Sequence, residues 1–184
     1  MKRKIMIIGA GGIGSFLIPL LYRTKLYDIT VYDPDIVEGK NLTYQNFNIG
    51  QLDMNKAEVM ANKCEGVRPQ PYRVLMESQV NGFELVVCCA DNLDVRKMLY
   101  NSKVKWLDLR SQGRNGALVS YEIDKNKIDV LLKGPEGSFS CQGDWNGEKE
   151  GIHFTHVAIA GMGAQWIQRW FNNEEVNEFK MINV

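Results

Sequence analysis

The sequence predicts a doubly wound α/β domain, a mostly parallel sheet with helices on both faces. Three observations carry that expectation. Short β-favouring runs alternate with helical stretches along the chain, a glycine-rich turn follows the first apolar run, and an acidic residue closes the second. Such alternation implies parallel strands joined by helical crossovers that cover the sheet on both sides.

The elements follow in order. Lys4 to Ile8 is the first strand, and Gly9-Ala10-Gly11-Gly12-Ile13-Gly14-Ser15 directly after it leads into a helix from about Gly14 to Tyr22. A second strand, Asp28 to Tyr32, ends at Asp33. A loop then precedes a helix over about Asn55 to Cys64. Pro69 and Pro71 flank an extended piece, Pro71 to Leu75, and Phe83 to Cys89 is the next strand. Leu93 to Asn101 is helical, Trp106 to Leu109 extended, and Ala117 to Ile123 alternates as a strand near a turn at Asp124-Lys125-Asn126-Lys127. A polar loop from Gly134 to Gly151 precedes a final helix, about Phe154 to Phe171. Trp166, Trp170 and Phe171 share one face of it and are assigned to the core, while Arg169 falls on another.

Composition bounds the function. With 184 residues, 45% hydrophobic and 24% charged, the chain is expected to be one soluble domain with a sizeable core. Lys plus Arg and Asp plus Glu both number 22, so no basic surplus points to nucleic acid. No apolar run reaches the length of a membrane span. The basic start Met1 to Lys4 leads into a run broken by four glycines, which argues against a signal peptide and for a cytoplasmic location. The cysteines are Cys64, Cys88, Cys89 and Cys141, with no CxxC pair, so a zinc site of the usual spacing is not expected. Cys64, Cys88 and Cys89 read as buried thiols. Cys141 lies in a polar, glycine-rich segment where a thiol is reachable. His153 and His156 read as structural or surface residues.

The turn carries the chemistry. Gly9, Gly11 and Gly14 have GxGxxG spacing, and glycine there permits unusual backbone angles and lets the main chain approach a phosphate. Amide hydrogens and the helix dipole then attract an anion. Asp33, nineteen residues beyond Gly14, is placed to accept hydrogen bonds from ribose hydroxyls. NAD and ATP share that ribose, so Asp33 does not separate them.

The next segment does. Asp33-Pro34-Asp35-Ile36-Val37-Glu38-Gly39-Lys40-Asn41-Leu42-Thr43-Tyr44-Gln45 resembles the DxDxVExxNLxRQ segment of the ThiF/MoeB/ubiquitin-activating family, which has a Rossmann-like fold. Lys56-Ala57-Glu58, Cys89-Ala90-Asp91-Asn92 with Arg96, and Gly113 to Ala117 resemble later motifs of the family in order. Ser140-Cys141, Gly151 and the helix to Gln165 resemble its crossover segment, so the chain reads as a single adenylation domain over 1–184 with a crossover loop at about 134–153.

That resemblance implies an ATP- and Mg2+-dependent adenylyltransferase acting on the C-terminal carboxylate of a ubiquitin-like or sulfur-carrier protein or a peptide, in a homodimer or heterodimer. Gly9, Gly11, Gly12 and Gly14 would wrap the adenylate, with Ser15 nearby. Asp33 and Asn41 would bind the nucleotide, Lys56 would neutralise phosphate charge, and Asp91 would hold magnesium. Cys141 would be the candidate thiol for a later transfer step. Arg96 is expected to pair with an acid or support the site. Taken singly, Asn41 also reads as a loop residue, Lys56 as a solvated helix lysine, and Asp91 as a cap for the helix from Leu93. Tyr44 stands where the family's NLxRQ motif has arginine, the family's arginine-bearing N-terminal helices have no counterpart, and its paired zinc cysteines are absent. Two alternatives follow: a non-catalytic partner or scaffold subunit, and an NAD-dependent oxidoreductase, which the glycine turn and Asp33 alone would permit.

Overall fold

The computed structural model describes residues 1–124, 126–128, 132, 142 and 151–184. Its sheet has seven strands: β1 (Arg3–Ile8), β2 (Tyr27–Tyr32), β3 (Arg68–Gln70), β4 (Leu85–Cys88), β5 (Trp106–Gln112), β6 (Asn115–Ser120) and β7 (Phe179–Asn183). Their order is β3-β2-β1-β4-β5-β6-β7. The first five are parallel, while β6 and β7 join antiparallel. Among the described residues the longer helices are α1 (Gly14–Arg23), α2 (Lys56–Lys63), α3 (Leu93–Asn101) and α4 (Thr155–Phe171). This is the α/β architecture that the sequence predicts.

Burial on both faces explains why the central strands are continuously apolar. In β1, Ile5 and Ile7 join Leu17, Leu21, Met60, Leu109 and Ile159 in one core. Met6 and Ile8 face the other way, with Val86, Leu99 and Trp106. The chain leaves β1 for β2 on one side and later returns to place β4 on the other, with Ile8 opposite Cys88. That reversal opens a crevice at the strands' carboxyl ends.

Two glycines are required where β1 ends. Gly9 has φ +95°, and a Cβ there would lie 2.9 Å from the backbone nitrogen of Ala90. A Cβ on Gly14 would lie 1.9 Å from the carbonyl oxygen of Gly9. Both serve the tight return of the chain into α1.

Several elements depart from the sequence expectation. The third strand is Arg68–Gln70, not the segment after Pro71, and it contains Pro69. Proline is tolerated because β3 is an edge strand, where a missing N–H breaks no interior ladder. β5 runs on to Gln112 and pairs with β6 across the two-residue turn Gly113-Arg114, so β6 starts and ends earlier than its alternation suggested. β7 was not anticipated at all. It is short and half-exposed, and it forms by pairing with β6. Trp166 is buried as expected and stacks on the half-buried Trp170 at 6.0 Å. No helix among the described residues is long and apolar enough to cross a membrane.

Gly66, at φ +89° with open space around it, is a control for Gly9. Gly66→Ala is expected to cost about 1–2 kcal/mol from backbone strain alone. Gly9→Ala should cost about 1–3 kcal/mol more, because its methyl group meets the backbone of Cys89 and Ala90 just past β4. Urea denaturation of the two variants measures the difference.

Candidate functional site

A cavity of about 650 Å3 lies at the crevice, within the range of small-molecule sites. Gly9, Gly11, Gly12, Asp33, Lys56 and Asp91 all line it. Gly14 and Asn41 do not, and Cys141 lies outside the described residues.

The glycine turn is tied to both neighbouring strands. The Gly9 amide donates to the Tyr32 carbonyl at 2.8 Å, and the Cys89 amide donates to the Ile8 carbonyl at 2.8 Å. The Ala10 amide donates to Asp33 Oδ2 at 2.6 Å, and the Asp35 amide to Asp33 Oδ1 at 2.8 Å. Asp33 is therefore a structural acceptor as well as a cavity-lining acid. Burial raises its pKa, opposed by those two amides and by Lys56.

Lys56 is not a solvated helix lysine. Only 7% of it is exposed, and its Nζ lies 3.6 Å from Asp35 Oδ2. Asn55 fixes that placement. Its Oδ1 caps α2 by accepting from the amides of Ala57 and Glu58, while its Nδ2 donates to the carbonyls of Asp33 and Asp35. The cap thus brings the helix start to the end of β2, with Lys56 as its first residue.

Asn41 and Ser15 act at one remove from the cavity. Asn41 is buried in a short 3-10 turn, its Oδ1 accepting from the Glu38 amide and its carbonyl from the Gln45 amide at 2.9 Å. Ser15 is fully buried, and its Oγ accepts from the Asn46 amide at 3.0 Å. Pro19 lies four residues beyond Ser15 in α1 and has no N–H to give the Ser15 carbonyl. Asn46 Nδ2 donates to that carbonyl instead, at 3.1 Å. A helix-breaking residue inside α1 thereby anchors the loop beside the glycine turn.

Beyond β4, Asp91 stands exposed on the cavity wall. The cap of α3 is Asn92, whose Oδ1 accepts from the amides of Asp94 and Val95, so Asp91 does not cap this helix. Arg96 pairs with an acid as expected, its Nε 3.1 Å from Oδ1 of the fully buried Asp108. Arg110 Nε and the Tyr100 hydroxyl donate to Oδ2 of the same carboxylate at 2.7 and 2.8 Å. Burial works against the Arg96 charge, but Asp108 together with Cys88 and Tyr100 more than offsets it and raises the pKa. This cluster fixes α3, and hence Asp91, against β5. Burial pushes the Cys88 thiol up to about 12 and the cavity-lining Cys89 well above its ordinary value. Neither is set up as a nucleophile.

Sequence reasoning missed several participants. Tyr72 and Arg73, in the loop after β3, line the cavity, as do Gln45 and Ser111. Strand order alone brings them there. His156, 1% exposed, is structural: its Nε2 lies 2.7 Å from the Tyr44 carbonyl and its Nδ1 3.4 Å from Gln142 Nε2. The Tyr44 backbone carbonyl thereby ties the loop to α4.

A crevice of this kind, at the switch point of a doubly wound sheet, is where such folds take nucleotides. The chain belongs to the ThiF family, whose model matches residues 1–181. It is 32% identical over 112 residues to the adenylyltransferase and sulfurtransferase UBA4 of Yarrowia lipolytica, covering 56% of this chain and 28% of that protein. It is 28% identical over 163 residues to ubiquitin-like modifier-activating enzyme 5 of Oryza sativa subsp. japonica, covering 75% and 37%. The chain thus spans about a third of the length of these relatives. E. coli MccB shares the fold, with a TM-score of 0.72 at 18% identity over 99% of this chain and 61% of that one. Another structure of MccB holds ATP.

Two outcomes test the site's framework. Asp108→Ala leaves two arginines without their buried carboxylate and should cost about 3–5 kcal/mol in urea denaturation. Burial lowers the His156 pKa from its ordinary 6.5, against the hydrogen bonds at Tyr44 and His153. The unfolded chain therefore takes up this proton first as pH falls below about 6.5, and folded stability drops toward the lowered folded pKa, by at most about 1.4 kcal/mol per pH unit. Stability curves of His156→Gln should be flatter than wild type below pH ~6.5 and parallel to it above.

Proposed function

We propose that this chain adenylates a C-terminal carboxylate belonging to a ubiquitin-like protein, a sulfur-carrier protein or a peptide, using ATP and magnesium. The observation that carries this is the buried Lys56, a cation set by Asn55 and Asp35 in the wall of the cavity that the glycine turn also lines. Adenylation joins two anions: a carboxylate oxygen attacks the α-phosphorus, its bond to pyrophosphate breaks, and charge builds on the leaving phosphates. A cation fixed in advance stabilises that charge without reorganising.

The charge of the lining supports a metal-bound nucleotide. Asp33, Asp35, Asp91 and Asp94 are matched by Lys56, Arg73, Arg96 and Lys97, so a bare polyanion meets no net attraction. Among the described residues no group of three or more His, Cys, Asp or Glu could hold a metal by itself. Magnesium suits this, because it binds through one or two carboxylates together with phosphate oxygens and water. Asp91 is the carboxylate assigned to it. Gly11 and Gly12 would face the phosphates, and Asp33 the ribose.

Calorimetry with ATP plus magnesium against NAD tests the assignment. ATP should bind more tightly, and Lys56→Ala should weaken it by about tenfold or more, as expected for a buried charge-assisted contact. Asp91→Asn should remove most of the gain that magnesium gives. Tighter binding of NAD would overturn adenylation in favour of hydride transfer. Binding of neither nucleotide would instead favour a non-catalytic partner subunit.

A further inference from the structure

Two buried side-chain atoms, Gln45 Oε1 and Ser111 Oγ, have no hydrogen-bond partner in the protein. Buried polar atoms are almost always satisfied, so each exception calls for a physical reason. Both residues line the same cavity, Gln45 from the loop beside the glycine turn and Ser111 from the end of β5. Such a coincidence within one cavity points to a ligand.

The position of Gln45 is tightly fixed. Its amide donates to the Asn41 carbonyl at 2.9 Å. On one side the Tyr44 carbonyl meets His156 Nε2, and on the other Asn46 is held twice by Ser15. Its carboxamide lies 3.8–3.9 Å from where a Cβ on Gly11 would sit, within ordinary contact of the glycine turn. The unpartnered atom is thus a preorganised acceptor at the mouth of the turn. Phosphate oxygens are acceptors themselves and cannot satisfy it; an N–H can. A serine hydroxyl can donate as well as accept. One acceptor and one donor are the complement of peptide backbone.

We propose that Gln45 Oε1 accepts a backbone N–H, and Ser111 Oγ donates to a backbone carbonyl, of an extended peptide whose C-terminal carboxylate is delivered to the nucleotide. This rests on the adenylation reading and assigns the two residues that read the acyl chain next to its carboxylate. The two side chains are specificity determinants and are needed neither for the fold nor for the nucleotide.

The test is calorimetry with three unreactive probes: AMP, 5′-O-(glycylglycylsulfamoyl)adenosine, and the same compound with an ester oxygen replacing the N–H between the glycines. Wild type should bind the amide probe about tenfold tighter than the ester, the worth of one well-placed hydrogen bond. Gln45→Leu should reduce that ratio below about twofold while leaving AMP affinity and melting temperature unchanged. Ser111→Ala should weaken both acyl probes by a similar factor and leave AMP alone.

Equal wild-type affinity for the amide and ester probes would overturn the proposal while leaving adenylation intact. So would a Gln45→Leu variant that loses as much AMP affinity as amide-probe affinity, since the oxygen would then read the nucleoside. Failure of wild type to bind any adenosine probe would overturn the adenylation reading and this proposal with it.

Discussion

The glycine turn after β1 is held from two sides, and the rest of the site depends on that lock. Its amides reach the Tyr32 carbonyl and the Asp33 carboxylate on the β2 side, and the backbone of Cys89 and Ala90, just past β4, closes against Gly9 on the other. The turn cannot shift without disturbing the two strand pairings at the centre of the sheet. Gly11, Gly12 and the start of α1 are therefore fixed in space before any ligand arrives. A rigid set of amides costs nothing to reorganise when charge develops beside it, which is why such sites are built on sheet ends.

A second layer of side-chain-to-backbone bonds extends this rigidity into the loops. Asn55 ties α2 to the end of β2 and so sets Lys56 beside Asp35. Ser15 and Asn46 bind α1 to the loop that carries Tyr44 and Gln45, helped by the carbonyl that Pro19 leaves without a helical partner. His156 attaches the same loop to α4. On the opposite face, Asp108 gathers Arg96, Arg110 and Tyr100, and the Tyr100 ring stacks on Trp106 at 4.1 Å. The helix behind Asp91 is thereby clamped to β5. Four of these tethers are single polar side chains far apart in sequence from what they hold, so each makes a local turn depend on the whole sheet.

The arrangement also separates residues that touch the cavity from residues that position them. Gly9, Gly11, Gly12, Asp33, Lys56 and Asp91 line it. Asn41 and Ser15 hold the loop behind it and face protein. Tyr44 joins both groups, with a side chain at the cavity and a carbonyl on His156.

The local pattern of the sequence determined the strand–helix alternation, the glycine turn, the acid at the end of β2 and the motifs from Lys56 to Arg96. These depend on periodicity, backbone conformation and short spacing, which a chain carries with it. Tertiary structure alone decided the rest. β3 and β7 are short strands made by pairing at sheet edges, so their own residues give little signal. Asn92 rather than Asp91 caps α3, a choice set by where β4 releases the chain. The unpartnered oxygens of Gln45 and Ser111 have no mark in the sequence either. Whether a polar atom finds a partner depends on everything that surrounds it, and only the folded chain brings those surroundings together.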